Sequence, residues 1–460
     1  MEDTIAAITT AYGEAAIGIV RISGPQAVRI ADRVLKRRDE SKQSVRHWPS
    51  HTLHLATVQD PRTQEAIDEV LVAVMWGPHS YTGEDVIEFQ GHGGRLILRE
   101  VLEAVLRAGA RLAEPGEFTR RAFMNGRLDL AQAEAVIDLI RARSEAARRL
   151  AMRQLEGRLS GRIKLIKEKL IGIAANLEAV LDFPEEGIEV ETSSTDEMRT
   201  VIQELEKILE GARGGRAARE GIRVVIIGKP NVGKSSLWNE LIGEERAIVT
   251  EIAGTTRDVI EEEVVVRGVP IRLVDTAGIR ETVDLVERIG VAKAREMLRR
   301  GQVILVVFDA GEGIGVDDQK VVELVSGMPL LVIVNKSDLA EQKIDSAAIN
   351  HLFPQETVIW ASMKEKWGIE EIKEAILSKV VGNTSDHGEE WLLGSVRQEE
   401  ALNRCLRACR ASLMAMEEQL PSEFVLIDLN EALESLGEIT GESISDQVLD
   451  RIFSEFCIGK

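Results

Sequence analysis

Gly228-Lys-Pro-Asn-Val-Gly-Lys-Ser235 has the spacing G-x4-G-K-[ST] and directly follows the apolar run 223–227. Its glycines let backbone N–H groups wrap a β-phosphate at the start of a helix, where the dipole favours anions. Lys234 then reaches the β/γ oxygens and the Ser235 hydroxyl ligates Mg2+, with Asn231, Val232, Gly233 and Ser236 completing the loop. Asp275-Thr276-Ala277-Gly278 follows the run 271–274. It is placed to bring Asp275 to Mg2+, directly or through water, and the Gly278 N–H to the γ-phosphate. Asn335-Lys336-Ser337-Asp338 follows 330–334. The Asp338 carboxylate accepts from both N1–H and the exocyclic amine of guanine, a pair that adenine does not offer, and the Lys336 stem packs along the base. Ser362-Met363-Lys364 stands where a guanine-contacting S-A-K loop is expected, with Met363 replacing the small residue. Thr255 and Thr256 fall where a Mg2+-binding switch threonine belongs. Four ordered motifs, each at the carboxyl end of a strand, predict a guanine-specific P-loop GTPase. In many such enzymes a glutamine after D-T-A-G orients the attacking water. Here the position is Ile279, so another polar group must act, with Arg257, Arg280, Glu281 and Glu287 as nearby candidates.

These motifs need a scaffold. Mostly continuous apolar runs at 224–227, 264–266, 271–274, 303–308 and 330–334 alternate with helical stretches, the pattern of a parallel sheet covered on both faces. The expected α/β domain spans residues 221–382. Upstream, Leu155, Leu159, Ile163, Ile166, Leu170, Ile173 and Leu177 recur three or four apart, predicting one amphipathic helix that Asp182-Phe-Pro184 stops. A second is expected to open at Ser194, with Glu197 completing a capping box. Downstream, Leu402, Cys405, Leu406, Cys409, Leu413 and Met416 form one stripe, which makes Cys405 and Cys409 core residues. Residues 127–220 and 383–460 thus read as the two parts of a helical domain into which the α/β domain is inserted. Residues 1–126, with strands at 17–21, 53–58 and 67–74 and a helix at 96–106, read as an α+β domain.

Composition bounds the function. The chain has 460 residues, enough for about three domains, with 57 Lys+Arg against 77 Asp+Glu and a net charge of −20. Such acidity argues against a surface coated for phosphate binding, but not against a local basic face. Residues 140–169 carry ten Lys/Arg and three Asp/Glu, whereas 182–197 carry seven acids and no base. A solvated helix face explains the basic run most simply; the sharper expectation is that Arg148, Arg149 and Arg153 help contact a polyanion. Three cysteines make no disulfide framework and, with an acidic start lacking a signal pattern and no apolar run near 20 residues, point to the cytoplasm.

Gly228–Ser236, the run Ala247–Asp258, the segment Asp275–Gly290 and the ending Phe456-Cys-Ile-Gly-Lys460 closely resemble the MnmE (TrmE) family. So do Gly18–Gly24, Thr82–Gly94 and Pro115–Phe123, so that the resemblance runs over the whole chain. It implies a GTPase of tRNA modification that adds an aminomethyl or carboxymethylaminomethyl group at C5 of the wobble uridine, U34. It implies a homodimer working with the FAD-containing partner MnmG (GidA). The architecture implied is a tetrahydrofolate-binding and dimerisation domain akin to aminomethyltransferases (1–126), a discontinuous helical domain and an inserted G domain. A potassium ion is implied in place of an arginine finger, bound by Asn231, Thr250, Ile252 through its carbonyl, and Thr255, in a loop that includes Glu251, Ala253 and Gly254. Glu287 corresponds to the water-orienting acid. A 5-formyltetrahydrofolate or related folate is implied at Arg21, Glu88 and Arg127, with Lys460 nearby and Cys457 as a functional cysteine. A carboxylate suits a pterin's amino-pyrimidine edge and an arginine its anionic glutamate tail. The competing expectation, which the G domain alone does not separate, is a regulatory GTPase switch in RNA or ribosome assembly.

Overall fold

The computed structural model describes residues 3–11, 13–37, 44–182, 192–243, 261–274, 298–339, 341–382 and 391–460. They divide into two compact units, one of residues 1–137 with 437–460 and the other of residues 138–436.

The first unit begins β1 (Ile5–Ile8), β2 (Ala15–Ser23), α1 (Ala27–Val34), β3 (Leu35–Arg37), β4 (Thr52–Gln59), β5 (Ala66–Met75) and β6 (Val86–Gly93). It continues through α2 (Arg95–Arg107), β7 (Arg111–Leu112) and α3 (Glu117–Met124). The strands lie in the order β3-β4-β5-β6-β2-β1-β7. Alternation along β5 and β6 buries Val70, Val72, Val74, Ile87 and Phe89 against Ile30, Val101 and Val105 of α1 and α2. Each such side chain contributes about 1.5–3 kcal/mol of transfer free energy. The same pleat sets Arg21 of β2 directly opposite Glu88 of β6.

α4 (Leu130–Arg141) leads into the second unit, which opens with α5 (Glu145–Leu155), α6 (Arg158–Asp182), α7 (Thr192–Glu210) and α8 (Ala212–Glu220). The stripe from Leu159 to Leu177 is buried as expected, but Leu155 belongs to a separate helix. Gly157, at φ 79°, turns the chain between α5 and α6 where a glycine adopts the left-handed region at low cost. The capping box at Ser194 does not form. The helix starts at Thr192, and the Ser194 hydroxyl is buried with no hydrogen-bond partner among the described residues. Packing of Met198, Val201 and Leu205, all fully buried, holds α7 instead.

Next come β8 (Ile222–Ile227), α9 (Lys234–Ile242), β9 (Glu261–Val266), β10 (Val269–Val274), β11 (Val303–Asp309), α10 (Val316–Val325), β12 (Leu330–Asn335), α11 (Ser346–Leu352), β13 (Val358–Trp360) and α12 (Ile369–Val381). Their sheet runs β13-β12-β11-β8-β10-β9. β9 departs from the all-parallel expectation, because a two-residue turn at Arg267-Gly268 folds it antiparallel onto β10 as an edge strand. The other neighbours are parallel, and both faces are covered. Leu237, Leu241 and Ile372 pack on one side, and Val321, Leu324 and Ile349 on the other. This double burial explains why β11 and β12 are unbroken apolar runs up to Asp309 and Asn335.

α13 (Val396–Glu417) then pairs with α7 through Arg199–Glu417 at 2.7 Å and Arg410–Glu206 at 2.6 Å. Cys405 and Cys409 are fully buried on it with their sulfurs 4.0 Å apart, and the mutual contact and burial push the Cys405 thiol's pKa up. They are core residues. α14 (Ser422–Thr440) follows, and α15 (Asp446–Ser454) belongs to the first unit, with Arg120 of α3 bonded to Asp450 at 3.0 Å. Among the described residues, no helix is long and apolar enough to cross a membrane.

Candidate functional site

The glycine loop joins β8 to α9, as strand–loop–helix order requires. Gly233 caps α9 at φ 100°, and a Cβ there would lie 2.1 Å from Asn335 Nδ2. Only glycine lets the loop close onto the next motif. Asn335, 2% exposed at the end of β12, donates from Nδ2 to the Val232 carbonyl at 2.8 Å and accepts the Met363 N–H on Oδ1 at 3.1 Å. One buried amide thus fastens three separate sequence motifs together. Lys234 donates to the carbonyls of Gly228 at 2.9 Å and Lys229 at 2.7 Å, and burial lowers its pKa to about 8.

These parts enclose a cavity of about 510 Å3 lined by Gly233, Ser236, Lys336, Asp338, Ser362 and Met363 among others. The Ser362 hydroxyl donates to Asp338 Oδ1 at 2.7 Å and accepts the Glu365 N–H at 3.1 Å. That bond, foremost, holds the exposed Asp338 carboxyl below its usual pKa. The Ser337 hydroxyl turns away to the Val334 carbonyl at 2.8 Å, and its N–H donates to Ala361 O at 3.1 Å. Met363 is buried, so this position serves through its backbone. Lys364 lines the cavity with its side chain mostly exposed. Asn231 is exposed at φ 64°, a conformation asparagine tolerates, and Ser235 is exposed in the first turn of α9.

Thr250, Glu251, Ile252, Ala253, Gly254, Thr255, Thr256, Asp275, Thr276, Ala277, Gly278 and Glu287 lie outside the described residues, as do the candidates Arg257, Arg280 and Glu281. Among the described residues no cluster of three or more His, Cys, Asp or Glu is built to hold a metal. Ser235 offers an exposed hydroxyl in the first turn of α9 and Asn231 an exposed amide oxygen in the same loop, both oxygen donors of the kind that hard cations take.

Sequence reasoning missed three cavity-side features. Asn239 and Glu240 of α9 also line the cavity. Lys229, in the glycine loop, pairs with Glu312 at 3.0 Å and Asp318 at 3.1 Å. Asp309 pairs with Lys336 at 2.5 Å. A signal existed for Asp309, a carboxylate ending an apolar parallel strand on the edge where such sheets bind ligands.

The first unit holds a second charged cluster. Arg21 Nε donates to Glu88 Oε1 at 2.7 Å, and Gln90 donates to the other carboxylate oxygen at 3.3 Å. The guanidinium lies 5.3 Å from the Tyr81 ring centroid and 5.5 Å from that of Phe118, and its Nη1 is buried with no hydrogen-bond partner among the described residues. Lys460 is held at this cluster because the Phe118 N–H donates to its carbonyl at 3.2 Å and Pro115 bridges to Ile458. Burial first, and then the Arg21 charge, lower the Lys460 pKa, with Glu88 opposing them. Two cations, one carboxylate and an orphan buried N–H fit an anionic ligand. Arg127 is exposed in the turn after α3, and no side-chain bond among the described residues links it to the other three. Cys457 is exposed, its carbonyl accepting weakly from the Gly116 N–H at 3.5 Å.

A strand–glycine loop–helix with Lys234 at its turn, facing an Asn-Lys-x-Asp loop across one cavity, defines a P-loop GTPase. Family models carry this further: that of the MnmE helical domain matches residues 130–457, and that of the GTP-binding protein TrmE N-terminus matches residues 4–127. The tRNA modification GTPase MnmE of Heliobacterium modesticaldum is 49% identical over 466 residues, spanning 100% of this chain and 99% of its own. Those of Desulforamulus reducens and Bacillus subtilis are 45% and 46% identical, each over 462 residues and 100% of both chains. The chain belongs to the MnmE family.

Proposed function

We propose that this GTPase acts in tRNA modification, adding an aminomethyl or carboxymethylaminomethyl group at C5 of U34 together with the FAD-containing partner MnmG, and working as a homodimer. What carries the reading is the presence, in a chain related end to end to tRNA modification GTPases, of two chemically distinct sites. The cavity at Asn335–Asp338 suits guanine nucleotide, and the Arg21–Glu88–Lys460 cluster suits an anionic folate supplying the one-carbon unit. A G domain inserted between α8 and α13 of a discontinuous helical domain is consistent with the α7–α13 ion pairs and with a helical-domain match running from 130 to 457.

In this reading Lys234 would neutralise the β/γ oxygens, Ser235 and Thr256 would hold Mg2+, and Asn231, Thr250, Ile252 and Thr255 would hold K+. A monovalent cation held there would supply the positive charge that an arginine finger otherwise gives. Glu287 orients the attacking water. Hydrolysis drives a conformational cycle of the G domain and leaves the carbon chemistry to the folate and flavin. Nucleoside analysis of tRNA from cells lacking the chain tests this directly. C5 of U34 is expected to be unmodified, and normal modification would overturn the assignment.

A further inference from the structure

Asp309 is the last residue of β11, and the parallel register sets it beside Asn335, the last of β12. The pairing is tight, since the Ala310 N–H donates to the Asn335 carbonyl at 2.8 Å. The carboxylate is 3% exposed and both its oxygens are used. Oδ1 accepts the Gly311 N–H at 2.9 Å, and Oδ2 lies 2.5 Å from Lys336 Nζ. Lys336 lines the nucleotide cavity and Asp309 does not. It also sits at φ 60°, which fixes the direction in which its side chain leaves the backbone.

We propose that Asp309 is a positioning residue for guanine-nucleotide binding, acting through Lys336. A lysine stem has four carbons and many rotamers, and the one that forms a wall for the base is a small part of that ensemble. By holding the ammonium at the stem's far end, Asp309 selects that rotamer before ligand arrives, so that its ordering is not charged to binding. A buried carboxylate whose one cationic partner among the described residues is this lysine has no more direct route to the base. The effect should be blind to the base's exocyclic amine, which Asp338 reads. It should therefore weaken guanosine and inosine diphosphates alike.

The inference rests on assigning the cavity to guanine nucleotide, and the test separates the two. Dissociation constants for GDP and IDP are measured on the full chain for wild type, Asp309→Asn, Lys336→Met and the double variant, alongside kcat at saturating GTP. Asp309→Asn is expected to weaken both ligands about tenfold, the worth of one charge-assisted contact, with their ratio and kcat unchanged. The double variant is expected to bind no more weakly than Lys336→Met, because Asp309 has nothing left to position. Where Asp309→Asn fails to fold, Asp309→Ser keeps an acceptor for the Gly311 amide without the charge and gives the same readout. Unchanged affinity in these variants, or penalties that add in the double variant, overturn the inference alone. A wild type that does not bind GDP overturns the cavity assignment with it.

Discussion

Ser362 Oγ donates to Asp338 Oδ1 at 2.7 Å, joining two residues 24 apart in sequence at one edge of the cavity. The serine spends its proton on the carboxylate that must accept from the base. It thereby fixes which carboxylate lone pairs remain for guanine, and keeps the group ionised throughout the neutral range. The lowered pKa means that this contribution is full above the usual carboxylate value and fades as pH falls through the folded one.

Ser362→Ala therefore leaves Asp338 charged but unguided. GDP affinity is expected to fall roughly tenfold, the cost of one lost hydrogen bond to a charged group. Discrimination against IDP should shrink as well, because the exocyclic amine loses its oriented acceptor. Fluorescence titration with both nucleotides checks this, and unchanged discrimination would show that backbone groups alone orient the base edge.

Lys234 supplies a pH signature. Burial lowers its pKa to about 8 in the free protein, whereas bound phosphates favour its charged form and raise it. Affinity for GDP should be flat below pH 8 and fall about tenfold per pH unit above it, as binding begins to require proton uptake. The same shift makes the buried cation a cost to folding that is complete below pH 8 and relieved as pH rises toward 10.5. Titrations from pH 6.5 to 9.5 in a non-interacting buffer would show the break, and a slope of zero throughout would contradict it.

What could be read from sequence followed the range of the interactions. The glycine loop, Asn335–Asp338 and Ser362 were legible because each is a local run ending a strand, and parallel sheets bind at strand ends. Met363 was legible as an exception, and its buried side chain with a bonded N–H shows why it is tolerated. The Arg21–Glu88 pair depends on β2 meeting β6, 67 residues away, which no local pattern encodes, so only family resemblance pointed to it. The break at Gly157 was hidden because an apolar stripe can continue in phase across two helices.

Were Glu287 the residue that orients the attacking water, as we propose, binding would not require it. Glu287→Ala should keep GTP affinity within about threefold of wild type while hydrolysis drops roughly a hundredfold, the usual scale of a lost general-base or water-positioning group. Single-turnover hydrolysis in potassium buffer isolates the chemical step. Unchanged turnover would return the role to another of the acidic or basic groups near Asp275.

The Arg21 cluster makes a prediction of a different kind, because its failure would leave the GTPase intact. Arg21→Met keeps the bulk between the Tyr81 and Phe118 rings but removes the orphan Nη1 and leaves Glu88 without its 2.7 Å partner. If the cluster binds an anionic folate, calorimetry on the full chain should show 5-formyltetrahydrofolate binding weakened at least about tenfold. GDP binding should not change, since Arg21 contributes nothing to the nucleotide cavity. Glu88→Gln keeps the shape and one acceptor, so it separates charge from geometry. It should weaken folate as well if the carboxylate pairs with the pterin edge, and strengthen it if Glu88 serves only to neutralise Arg21 and Lys460. Folate binding that survives Arg21→Met would move the site elsewhere in the first unit.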